Sequence, residues 1–117
     1  MNTRENPLRG HLYWIRVPDE PGGKKRPALV LSNDVRNRLA ADVIVVPLSG
    51  TIRPAPTHVR IRRREGGVPR TSVIKAEHIT TISKSRLVSG PLGGPLSARR
   101  MVQVEKAVLA AIDVPVD

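Results

Sequence analysis

Apolar residues come in short runs along most of the chain and settle into a helical repeat only near its end. Residues 10–17 (GHLYWIRV) are rich in aromatic and β-branched side chains and predict a first strand. Residues 18–25 (PDEPGGKK) predict a loop, because Pro21-Gly22-Gly23 does not continue a strand cheaply. A second, largely buried strand follows at 27–32 (PALVLS), then a short helical turn within 33–41 with Asn33 or Asp34 as its N-cap. Residues 42–48 (DVIVVPL) form the clearest core strand, and Pro47 places its end near an edge or bulge. A loop over 49–56 comes next.

Residues 57–63 (THVRIRR) alternate, with Val59 and Ile61 on one face and His58, Arg60 and Arg62 on the other. After a turn at Glu65-Gly66-Gly67, residues 71–76 and 78–82 are two short strands, or one strand bent at Glu77. Residues 89–95 (SGPLGGP) predict a loop. The last element is a helix over 97–112, capped by Ser97, with Met101, Val104, Val108 and Ile112 at helical spacing and Pro115 beyond it. Five or six short strands and a C-terminal helix make an α+β fold, a small, partly open barrel with the helix packed against it.

The chain has 117 residues, enough for one domain, with residues 1–8 expected as a flexible arm. It has no cysteine, which excludes disulfides, thiolate metal sites and a cysteine nucleophile. No apolar run approaches the roughly 18 residues of a membrane span, and the N-terminal residues show no signal-peptide core. A soluble, cytoplasmic-type domain is expected.

Charge changes the picture. Lys and Arg total 20 against 10 Asp and Glu, a net charge of +10, and 15 of the 20 are Arg. Residues 53–70 hold six Arg against Glu65 alone, half of the net charge in 18 residues. The planar guanidinium fork matches phosphate oxygens, so a polyanion partner is indicated. Tyr13 and Trp14 are the only aromatic residues, too few for a platform stacking successive bases.

There is no phosphate-binding P-loop, no H-E-x-x-H, and no cluster of acids such as a two-metal nuclease needs. Phosphodiester chemistry here is therefore expected without a metal or other cofactor, which restricts it to RNA. There the 2′-OH attacks its own phosphate, leaving a 2′,3′-cyclic phosphate and a 5′-OH. The protein supplies cations for the phosphorane charge and groups that move the two protons.

Several runs together resemble the PemK/MazF/Kid family of toxin–antitoxin endoribonucleases. They are Arg9-Gly10-x-Leu12-Tyr13-Trp14, Arg26-Pro27-Ala28-Leu29-Val30-Leu31-Ser32-Asn33-Asp34, Val45-Val46-Pro47-Leu48-Ser49 and Pro56-Thr57-His58-Val59, then residues 72–87 (SVIKAEHITTISKSRL). The resemblance spans about 9 to 112. It implies an SH3-like β-barrel, the MazF/CcdB-like toxin fold, in a homodimer. It also implies cleavage of single-stranded RNA at short sequences, and an antitoxin whose acidic disordered tail blocks the RNA groove.

The same resemblance carries roles onto residues. Arg26, expected in an extended loop before Pro27, matches the family's catalytic arginine and would stabilise the phosphorane; a part in proton delivery stays open. Ser49 would hold the scissile phosphate. Lys75 would be a second cation, and Glu77 either the base or an anchor for Arg26 or Lys75. His78 replaces the family's usual Gln and would be the leaving-group acid or a plain contact. Lys24, Lys25, Thr51, Arg53, Arg60, Arg62 and Arg64 are candidate RNA contacts. Two other readings fit the fold: a non-catalytic inhibitor of DNA gyrase, and a basic nucleic-acid-binding module.

Overall fold

The computed structural model describes residues 6–17 and 23–116. Most of the expected N-terminal arm (1–5) and most of the loop after the first strand (18–22) lie outside the described residues. The elements, in chain order, are β1 (Leu12–Arg16), β2 (Lys25–Val30), α1 (Asp34–Leu39), β3 (Asp42–Ser49), β4 (His58–Ile61), β5 (Ser72–Lys75), β6 (Thr80–Ser83), β7 (Leu87–Ser89) and α2 (Ala98–Ala111). Short 3-10 turns occupy Glu65–Gly67, Ala76–His78 and Lys84–Arg86. All strand pairs are antiparallel. The order is β4-β5-β3-β2-β1-β7, and β6 also pairs with β3.

Proline decides how this sheet divides. On one edge of β3, β6 pairs with Asp42 through Val45, and β5 pairs with Leu48 and Ser49. Val46 and Pro47 fall in the gap, where the missing proline N–H costs the ladder nothing. On the other edge, the β2–β3 ladder runs from Val30↔Val45 to Ala28↔Pro47 and stops. Pro27 would come next, and it too has no N–H to donate. The sheet therefore forks at Pro47, with β5 and β6 diverging and the Ala76–His78 turn joining them. Residues 71–82 are thus two strands, not one bent strand.

Each face of the sheet buries a core. One contains Leu12, Leu29, Leu48, Ile61 and Ile74 packed with Val104 and Ala107 of α2. The other contains Tyr13, Ile15, Val30, Val43, Val45 and Ile82. Burial on both faces is why β2 and β3 read as continuous apolar runs while β4 alternates. Asn33 caps α1 by accepting the Arg36 N–H at 2.8 Å, and Ser97 caps α2 by accepting the Arg100 N–H at 3.1 Å.

Three expectations need correction. Leu87–Ser89, where the sequence predicts no strand and Ser89 opens a predicted loop, is β7, paired with β1 through Trp14↔Ser89 and Ile15↔Leu87. Three residues are too few to show an alternation, so only the pairing reveals it. Ile112 is not a core position: it lies past the last turn of α2 at 62 % exposure, and Ala107 fills the stripe instead. Arg26 lies within β2, not in a loop.

Glu65 fixes α2 to the turn after β4. Its carboxylate accepts two hydrogen bonds from Arg100, each 2.9 Å. This hydrogen bonding outweighs burial, which acts the other way, and holds the Glu65 pKa at about 2. A carboxyl depressed in the folded state adds stability that is complete above its unfolded pKa of about 4.5 and disappears as pH falls towards 2. Wild type should exceed Glu65→Gln by about 1 kcal/mol at pH 6, the partly exposed pair being discounted for screening. The gap should shrink as pH falls below about 4.5 and be nearly gone near pH 2 in urea unfolding; a gap that does not change with pH would refute the pairing.

Candidate active site

The fork in the sheet opens a groove of about 420 Å³. Arg26 from β2, Ser49 from β3, Lys75 from β5 and His78 from the following turn all line it. Residue pairing explains the first two. Ala28 faces Pro47 in the ladder, so the same register carried two residues further sets Arg26 opposite Ser49. The ladder stops before that pair, and both side chains line the groove.

Ser49 Oγ accepts the Thr51 N–H at 3.1 Å. That bond fixes the oxygen at the strand end and leaves its O–H available to donate to an anion. Gly50, next in the chain, has no side chain for a reason visible in the wall. A Cβ there would lie 2.3 Å from Nη2 of Arg70, whose guanidinium rests against this backbone. Gly50→Ala should therefore fold normally, because the obstacle is the far end of a flexible side chain, but displace Arg70. A rise of several-fold in KM for RNA with an unchanged melting temperature is the expected result; unchanged kinetics would remove Arg70 from the site.

Glu77 stands apart from the other four. Its Oε2 lies 2.9 Å from His58 Nε2, and His58 Nδ1 donates to the Arg53 carbonyl at 2.8 Å. The expected anchor for Arg26 or Lys75 is thus an anchor for His58, tying the 76–78 turn to the loop before β4. Burial alone would push the Glu77 carboxyl up. The hydrogen bond from His58, with others from the Glu77 backbone and Thr57, prevails and holds it below the usual carboxylate range. That direction suits a structural carboxylate more than a general base working at neutral pH.

The expected RNA contacts do not gather in one place. Lys24 and Lys25 line a second depression of about 270 Å³, which shares Arg26, Leu48 and Ser49 with the groove. Thr51 and Arg53 are exposed on the 50–57 loop. Arg60 and Arg62 line a third depression with Arg63, Thr71 and Arg100, where neither Arg26 nor Ser49 is found. Arg64 is exposed, with a φ of +79°. Three neighbours of the site had no assigned role: Arg70, Arg86 and His58. Arg86 lines the groove and donates from Nε and Nη2 to the Arg16 carbonyl, at 3.1 and 2.9 Å. The signals for them were the glycine after Ser49, the T-I-S-K-S-R-L run and the P-T-H-V run. Among the described residues, no three His, Asp or Glu side chains gather as a metal-holding group, and no helix is long and apolar enough to cross a membrane.

An arginine, a lysine, a histidine and a serine hydroxyl line this one groove, a set of side chains whose chemistry suits an anion. The family is identified by comparison. Residues 8–112 match the model of the PemK-like, MazF-like toxins of type II toxin–antitoxin systems, and the chain belongs to that family. It is 42 % identical over 85 residues to endoribonuclease EndoA of Bacillus subtilis, covering 68 % of this chain and 72 % of the relative. It is 33 % identical over 109 residues to endoribonuclease MazF4 of Mycobacterium tuberculosis, covering 93 % and 95 %. A mycobacterial endoribonuclease solved in complex with its cognate antitoxin superposes with a TM-score of 0.77 at 32 % identity, over 95 % of this chain and 99 % of that one.

Proposed function

We propose that this chain is the endoribonuclease toxin of a toxin–antitoxin pair, cutting single-stranded RNA at short sequences without a metal ion. The observation that carries this is the pair Arg26 and Ser49 lining one groove with Lys75 and His78. The scissile phosphate sits between that pair. Its 2′-oxygen attacks phosphorus, the bond to O5′ breaks, and a 2′,3′-cyclic phosphate and a 5′-OH result. Arg26 and Lys75 balance the charge that builds on the non-bridging oxygens, and the Ser49 O–H donates to one of them. Imidazole can give up a proton at neutral pH, and His78 gives one to O5′. The 2′-OH proton leaves to solvent in the open groove. Glu77 and His58 hold the turn that presents His78.

The partners follow from the same reading. A +10 surface suits RNA and an antitoxin with an acidic, disordered tail that covers the groove. The toxin acts as a homodimer in the cytoplasm, where single-stranded RNA is found.

The test is incubation of the purified protein with long single-stranded RNA in excess EDTA at low salt, followed by end mapping. Discrete fragments with cyclic-phosphate and 5′-OH ends are expected. Intact RNA from a folded, antitoxin-free protein would end the nuclease reading.

A further inference from the structure

We propose that the depression beside Arg26 is a nucleobase site, with the indole of Trp14 as its stacking surface. It holds a base next to the scissile phosphate, and so rests on the nuclease reading. The position comes first. This depression and the groove share Arg26, Leu48 and Ser49, so a phosphate held by Arg26 and Ser49 sits on the ridge between them. The base of an adjoining nucleotide then falls to one side or the other. At about 270 Å³ the depression is at the small end for a ligand site, the size of a single base and not of a folded peptide.

Trp14 has the placement such a site needs. Successive strand side chains alternate, so Trp14 points to the same side as Leu12, which is fully buried in the core beneath α2. Two residues further along β1 that core has ended. Trp14 pairs with Pro27 and Ser89 on its two flanks, belongs to neither buried cluster, and remains half-buried at the wall of the depression. The other aromatic residue is used differently. Tyr13 is 2 % exposed, and its hydroxyl accepts the Leu8 N–H at 3.0 Å.

The remaining wall fits a nucleotide. Pro27 and Pro69 add apolar surface, while Lys24, Lys25 and Arg70 join Arg26 as cations, and no carboxylate is among the described residues that line the depression. An aromatic surface bordered by cations takes a base on its π face and the flanking phosphates at the edge. The Arg70 guanidinium, seated against Gly50, puts a planar fork of donors in this wall. Two aromatic residues cannot stack a series of bases, but one is enough for one base.

The chain has a single tryptophan, so its fluorescence reports on this position alone. The probe is an RNA oligonucleotide containing the mapped cleavage sequence, with 2′-deoxyribose at the cleaved linkage so that no attack occurs. Saturable quenching of emission is expected. An abasic nucleotide should remove it at one position next to the scissile phosphate and leave it at the others. Trp14→Ala should raise KM or Kd about 5- to 150-fold, the loss of one stacked base, and Trp14→Phe should recover most of it. If Trp14→Ala does not fold, the abasic scan on wild type decides. Emission unchanged at saturation, quenching insensitive to every abasic position, or equal KM for the Phe and Ala variants would overturn the base site. Quenching only by an acidic peptide would assign the depression to a protein partner and overturn it too. These failures differ from failure of the nuclease reading, in which wild type leaves RNA intact in EDTA whatever its fluorescence does.

Discussion

Arg26→Ala should slow RNA cleavage about 10²–10³-fold while leaving the fold and most of the RNA affinity in place. Arg26 is half-exposed on the splayed end of β2, outside both buried cores, so truncation removes no core volume. Its charge is one of 20 cations, and loss of one phosphate contact changes binding little. The loss falls on the step in which charge accumulates at phosphorus. Removing one placed donor from such a site costs about 10²–10³-fold in rate, and a charged fork should lie at the upper end. Arg26→Lys should recover little, because a point charge does not reproduce the planar fork. Single-turnover cleavage with melting curves on the same samples measures this. A rate within a few-fold of wild type would remove Arg26 from the reaction.

The second large effect separates His78 from Glu77, neighbours in one 3-10 turn. His78 lines the groove, whereas Glu77 holds His58. His78→Ala should slow cleavage about 10²–10⁴-fold, the contribution of a placed acid. Glu77→Gln keeps the shape of the side chain and should cost far less. The decisive substrate replaces O5′ with sulfur, a leaving group that needs no proton. It should bring His78→Ala close to the wild-type rate and do nothing for Arg26→Ala. If instead Glu77→Gln is the severe variant and the sulfur substrate does not rescue His78→Ala, Glu77 is the base and His78 a contact.

The contrast between these two residues shows where sequence reasoning reached its limit. Glu77 and His78 are adjacent, both can move protons, and both lie in the run that resembles the family. Nothing in their spacing says that the 3-10 turn sends one to the groove and the other to His58, 19 residues earlier in the chain. The same limit applies to the basic residues. Arg60 and Arg62 alternate with apolar partners, and that placed them on an exposed face. Only the third dimension shows that this face has its own depression with Arg100 of α2, away from Arg26 and Ser49.

What the sequence determined by itself is local. Alternation and continuous apolar runs set the strands from β1 to β6, Ser97 and the helical repeat set α2, and Pro47 marked an irregularity in the pairing of β3. These follow from side-chain period, capping and the missing proline N–H, which act within a few residues. The tertiary structure decided what depends on pairing across long separations. It made a strand of Leu87–Ser89, brought Arg26 and Ser49 to one groove, drew Glu77 to His58, and left Trp14 at the edge of a core instead of inside it. The physical reason is that a strand of three residues, a splayed ladder and a half-covered indole are each defined by the partner on the other side. That partner is fixed only when the whole sheet closes over its two cores.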